Sequence, residues 1–137
     1  MVLLRYIGIA LVCLCITGCA TTNKRDLLRT SVMRFNQDMR WKRFDQAARY
    51  LEPQQQTEFL KRYMERERDL FIQLMEVRTV SRFEHHEEAF ANVMVVTESY
   101  LLPSTIIKKL TQIQKWKKLE NGHWILVELS KDLISNQ

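Results

Sequence analysis

The sequence predicts an α+β domain in which N-terminal helices pack on a strongly curved antiparallel sheet of about four strands. Three observations carry that prediction. Apolar residues recur at helical spacing from position 26 to about position 68. At about Leu70 the chain turns to β-branched and aromatic residues, and no glycine follows until Gly122. Asn121-Gly122 then stands between two apolar runs, the strongest short-range hairpin signal in the chain.

Residues 1–18 have the layout of an export signal: one positive charge at Arg5, then an uncharged apolar stretch from Tyr6 to Ile16. That stretch is too short for a membrane span, which needs about 20 apolar residues. The run Ile16-Thr17-Gly18-Cys19 resembles a bacterial lipobox at every position. The resemblance implies cleavage between Gly18 and Cys19, a diacylglycerol on the Cys19 thiol and an acyl chain on its new amino group. Several chains anchor durably where one binds only reversibly. In the Gram-negative members of that class an Asp after the cysteine retains the protein at the inner membrane. Ala20 stands here, which implies the outer membrane, facing the periplasm.

Cys13 and Cys15 lie inside the signal and Cys19 is consumed by lipid, so the mature part is expected to hold neither a thiol nor a disulfide. Its stability must come from an ordinary apolar core, which the remaining 119 of 137 residues are enough to build as one domain. Of 21 Lys and Arg, 20 remain without Arg5; against 16 Asp and Glu the net charge is +4. The basic residues are spread along the chain, so they read as a solvated surface, and a periplasmic domain has no nucleic-acid partner.

Residues 19–25 form the lipidated cysteine and a short polar tether, which keeps the domain over 26–137 near the bilayer. Leu28, Val32, Phe35 and Met39 share one helical face, with Asp26 as the expected N-cap. A second stripe, Trp41, Phe44, Ala48 and Leu51, stops at Pro53, which disfavours helix in the residue before it and can open the next helix. That third segment, 53–68, carries Phe59, Leu60, Tyr63 and Met64.

The first strand is expected over 70–83. Ile72 and Leu74 fall in one phase and Met75 and Val77 in the other, which predicts a β-bulge. The second, 89–100, contains Val93-Met94-Val95-Val96 and reads as central; the third, 105–119, follows the turn at Pro103-Ser104. A two-residue type I′ turn at Asn121-Gly122 would pair Leu119 with Trp124, Lys118 with Ile125, Lys117 with Leu126, Trp116 with Val127 and Lys115 with Glu128. Trp116 and Leu126 would then lie on opposite faces of the sheet.

The element order and the closing run from Trp116 through Asn121-Gly122 to Trp124 resemble the nuclear transport factor 2-like superfamily. That resemblance covers about residues 26–133. It implies a cone whose helices and curved sheet enclose a pocket, used by some members for isomerase or dehydratase chemistry and by others for binding or dimerisation.

Fold alone does not assign function. The candidate pocket residues are Phe44, Phe90 and Trp116, with Glu98 and Tyr100 as the pair to inspect for acid–base chemistry; Glu76, Glu128 and Asp45 are further acids that could point inward. The run His85-His86-Glu87-Glu88 reads as a solvated hairpin loop rather than a metal site. No phosphate loop, nucleophile triad, metalloprotease motif or dinucleotide fingerprint is present, and no cofactor is implied. The expected function is that of a non-enzymatic binding or assembly module on the membrane, dimeric through its sheet or joined to another envelope protein. The alternatives are a pocket for a small apolar or lipid-like ligand, then an acid–base enzyme.

Overall fold

A computed structural model describes residues 24–135, so the export signal, Cys19 and most of the tether lie outside the described residues. Three helices, α1 (Lys24–Arg40), α2 (Phe44–Ala48) and α3 (Pro53–Arg66), precede four strands, β1 (Leu70–His85), β2 (Glu88–Leu101), β3 (Lys108–Lys118) and β4 (Trp124–Leu129). The strands form one antiparallel sheet in the order β1-β2-β3-β4. The chain is therefore α+β, helices first. Among the described residues no helix is long and apolar enough to cross a membrane.

The predicted stripe on α1 is buried: Leu28, Val32, Phe35 and Met39 all face the core. Helix is already present at Lys24, so Asp26 lies inside α1 rather than capping it. The second stripe does not hold as one helix. Lys42 takes a positive φ of 57°, its N–H donates to the Met39 carbonyl at 3.1 Å, and the Arg43 N–H donates to that of Asp38 at 2.8 Å. This pair of bonds is a Schellman motif, which ends α1 and satisfies its last carbonyls. Trp41 is thereby turned into solvent, while Phe44, Ala47 and Ala48 of the five-residue α2 stay buried. Leu51 is not helical but bridges Leu126, with the Leu126 N–H donating to the Tyr50 carbonyl at 2.6 Å. Pro53 stands at the start of α3, where its missing N–H leaves nothing unsatisfied.

The sheet's inner face, against the helices, carries Leu70 and Ile72 of β1, Ala91, Val93 and Val95 of β2, Trp116 of β3, and Trp124 and Leu126 of β4. Phe35 meets Trp116 edge-on at 5.8 Å between ring centroids. β1 contains two register shifts, between Ile72 and Leu74 and between Val77 and Thr79, each inserting one residue against β2. Such bulges bend a strand and raise its twist. The ribbon tip leaves the core, since residues 78–88 are all exposed.

One hairpin turns more sharply than expected and the other more loosely. The type I′ turn falls at His86-Glu87, with φ of 49° and 65°, which lets β1 run to His85 and β2 start at Glu88. At Asn121-Gly122 only Gly122 has positive φ, 85°. Its N–H donates to the Leu119 carbonyl at 2.9 Å and the Leu119 N–H to that of His123 at 2.7 Å, making a three-residue loop. The added loop residue slides the register by one, so Lys118 pairs with Trp124, Lys117 with Ile125 and Trp116 with Leu126. A further shift beyond Trp116 then restores Lys115 opposite Glu128. Trp116 and Leu126 are consequently neighbours on the inner face, which corrects the expected arrangement.

Candidate functional site

Bulging of β1 at Arg78 decides what its outer half presents. Before the bulge Met75 and Val77 pair with Thr97 and Val95 and face inward; after it the inward residues are Val80 and Arg82, opposite Val93 and Ala91. Without the extra residue, Thr79 and Ser81 would hold those places. The far wall is α1. Leu28, Arg29, Val32, Met33, Asn36, Gln37 and Arg40 recur at helical spacing along one side of it, and Trp41 follows in the turn that ends it.

Between these walls lies an open cleft of about 950 Å³. Leu28 and Val32 belong to the core and make its floor apolar, while Met33, Val80 and Trp41 are exposed along it. Three guanidinium groups, from Arg29, Arg40 and Arg82, stand among the lining residues. Glu76 is the single carboxylate among the described lining residues, and it is ion-paired with Arg78 at 2.8 Å. The Arg40 guanidinium lies 5.7 Å from the Trp41 ring centroid, within cation–π range.

Asn36 supplies the one buried polar group in the wall, and it is held firmly. Its Nδ2 donates to the Val32 carbonyl at 2.8 Å, and its Oδ1 accepts from Gln114 Nε2 at 2.7 Å. The Gln114 Oε1 in turn accepts from the Trp116 indole at 3.3 Å. A satisfied buried network of this kind locks α1 against β3 and fixes one wall of the cleft.

The candidate pocket residues from the sequence are not brought together. Phe44 and Trp116 are fully buried core side chains. Phe90, Glu98 and Tyr100 lie on the other face of the sheet, in the opposite phase from Ala91, Val93 and Val95. There Tyr100 stacks on Phe71 at 5.0 Å and Phe90 on Phe83 at 5.5 Å, while Glu98 is half-buried opposite Lys109. Asp45 and Glu128 are exposed. His85 and His86 are exposed at the hairpin tip with ring centroids 4.1 Å apart, because the positive φ of His86 breaks the strand alternation that would have separated them.

The cleft residues Arg29, Met33, Asn36, Arg40 and Val80 belong to no motif that the sequence displays. A signal for part of them exists: Met33 and Trp41 are apolar but out of phase with the core stripe, which marks a second face on α1.

A separate polar cluster ties α3 to the C-terminal segment. Arg62 and the Tyr63 hydroxyl both donate to Asp132, the latter at 2.9 Å. Burial pushes the Tyr63 phenol well above its ordinary range, helped by the Asp132 charge and the hydrogen bond to it. Arg62 is raised by its hydrogen bond and ion pair with the same carboxylate.

No protein-family model matches the sequence, and no curated protein matches it. Among solved structures the chain is similar to RPA3114, a SEC-C motif containing protein from Rhodopseudomonas palustris. The TM-score is 0.54 at 14% identity, with 77% of this chain and 76% of that one covered. Likeness at that identity concerns the fold, so the chain shares its α+β architecture with RPA3114, and the cleft is argued from its own residues.

Proposed function

We propose that this chain is a membrane-anchored envelope lipoprotein, cut before Cys19 and lipidated there, and that its domain is a non-enzymatic binding module. The α1–β1 cleft is its site, and the ligand class is an anionic amphiphile such as a fatty acid or a lipid-like molecule. The single observation that supports this reading is the pairing of an apolar floor with Arg29, Arg40 and Arg82 in a cleft whose volume, about 950 Å³, suits a small ligand. The apolar wall takes the chain and the guanidinium groups take the head group. Glu76, the one carboxylate among the described lining residues, is ion-paired with Arg78 at 2.8 Å, so the charge the lining offers a ligand is basic. The outer membrane, facing the periplasm, is the proposed location. The cone of the nuclear transport factor 2-like superfamily is the proposed finer fold, supported by helices preceding a bulged antiparallel sheet with a cleft between them.

Trp41 is the reporter, because Trp116 and Trp124 are buried and Trp41 is exposed at the cleft. Titrating dodecanoate below its micelle concentration into the chain begun at Ala20 is expected to shift Trp41 emission to the blue, saturating at one ligand per chain by native mass spectrometry. Val80→Glu places a negative charge in the cleft at an exposed position and should weaken binding at least tenfold, about 1.4 kcal/mol. An unshifted spectrum, or unchanged binding in the variant, overturns the proposal.

A second reading, dimerisation through the sheet or docking of another envelope protein there, is favoured by the outer face. Exposed Met94 stands between Thr79 and Ile113 on it. Sedimentation of the same chain at rising concentration tests for the dimer.

A further inference from the structure

Three connections meet at one end of the domain. The Leu102 N–H donates to the Asp69 carbonyl at 3.0 Å, joining the β2–β3 loop to the turn between α3 and β1. Lys42, in the turn after α1, donates from Nζ to the Glu67 carbonyl at 2.8 Å and lies 4.1 Å from the Phe71 ring centroid. Five of the nine exposed large apolar side chains among the described residues belong to the turns and helix end joined here: Trp41, Met64, Leu102, Ile106 and Ile107. Ile106 is 71% exposed, Trp41 62%, Met64 52% and Ile107 49%. Two adjacent isoleucines in that state, on a loop (102–107) without a single acidic residue, are not explained by packing within the domain.

Charge supplies the second half of the argument. Lys108 and Lys109 follow the isoleucines directly, and Arg40, Lys42, Arg66 and Arg68 stand on the neighbouring turns. The carboxylates at this end, Asp38, Glu65, Glu67, Asp69 and Glu98, are fewer, Asp38 is ion-paired with Arg43 at 2.7 Å, and none lies on the loop itself. Aliphatic side chains at a loop tip, a tryptophan at their border and long basic side chains around them match the layers of a bilayer surface. The aliphatics enter the acyl boundary, the indole sits at head-group level, and the lysine stems lie along apolar surface while their ammonium groups meet lipid phosphates. Arg40 and Trp41 belong to this end and to the cleft at once, so the cleft opens beside it.

We infer that this end of the domain docks on an anionic lipid surface, independently of the acyl chains on Cys19 and of any ligand in the cleft. Every described core residue lies between Leu28 and Leu133, so a chain begun at Ala20 keeps the whole core and carries no lipid. Mixed with vesicles of phosphatidylglycerol and phosphatidylethanolamine, it is expected to co-sediment, to lose most of that binding at high salt, and to bind phosphatidylcholine vesicles at least tenfold more weakly. Ile106→Asp with Ile107→Asp should reduce binding to the anionic vesicles at least tenfold, with an unchanged circular dichroism spectrum. Lys108→Glu with Lys109→Glu should do the same. Neither pair lines the cleft, so both variants keep dodecanoate binding, which separates failure of this inference from failure of the cleft reading. Wild-type binding by the isoleucine variant, or no binding of the unaltered chain to anionic vesicles at low salt, overturns the inference and leaves the apolar end as a protein contact.

Discussion

Tyr63 is a buried phenol whose hydroxyl donates to Asp132, and its ionisation is opposed first by burial and then by that carboxylate's charge. Above about pH 10 an unfolded chain releases the Tyr63 proton while the folded chain keeps it. The unfolded state then binds fewer protons, so this contribution is whole below pH 10 and is lost as pH rises toward the folded-state value, by up to about 1.4 kcal/mol per pH unit. Tyr63→Phe is expected to lose about 1 kcal/mol at pH 7, and the gap to the native chain should shrink above pH 10. Urea unfolding of both chains from pH 7 to 11 measures it, and a gap that stays constant contradicts the assignment. At this scale the sequence was legible for burial and not for role. Phe44 and Trp116 stand out in the sequence as aromatic and are core in the fold, because apolar spacing reports that a side chain is covered and not whether a cavity adjoins it. Asn36 could not be recognised as a wall residue, since its partner Gln114 lies 78 positions away.

Elements were legible in kind and order, and their joints were not. The α1 stripe and the proline start of α3 follow from local pattern, while the bulge expected in β1 falls between Ile72 and Leu74 and so puts those two on opposite faces rather than together. The second stripe failed at Lys42, where a Schellman turn uses a lysine in place of the usual glycine. Its two contacts, to the Glu67 carbonyl and the Phe71 ring, come from distant sequence and hold the strained residue there. The longer loop at Asn121-Gly122 has the same origin: Asn-Gly admits either turn, and burying both Trp116 and Leu126 selects this one. The His86-Glu87 turn keeps two side-chain-bearing residues at positive φ, a conformation costing roughly 1–2 kcal/mol per residue. His86→Asn with Glu87→Gly should relieve about 1 kcal/mol of it. Because residues 78–88 are exposed and held mainly by the strand ladder, the gain should appear as about fivefold slower amide exchange near the hairpin tip, with little change in Tm. A raised Tm with unchanged exchange would place the tip inside the cooperative core instead.

For the molecule as a whole, anchoring is argued from Ile16-Thr17-Gly18-Cys19. Cys19→Ser should move the protein out of the carbonate-washed membrane fraction, whereas the native chain stays and shows an acylated Cys19 in its intact mass. A variant that remains membrane-bound and uncleaved after that wash counts against lipidation. α1 then acquires a mechanical meaning. It is 17 residues long, about 25 Å, with the tether at its start and the apolar, basic end of the domain at its finish. Five residue steps separate Cys19 from Lys24, at most about 18 Å. With the far end seated on lipid, the start of α1 can rise no further than that slack, so the helix axis stays within roughly 45° of the membrane plane. So moored at both ends of one rod, the domain would exchange free tumbling for a shallow rocking motion, and the mouth of its cleft would sweep a narrow arc just above the bilayer.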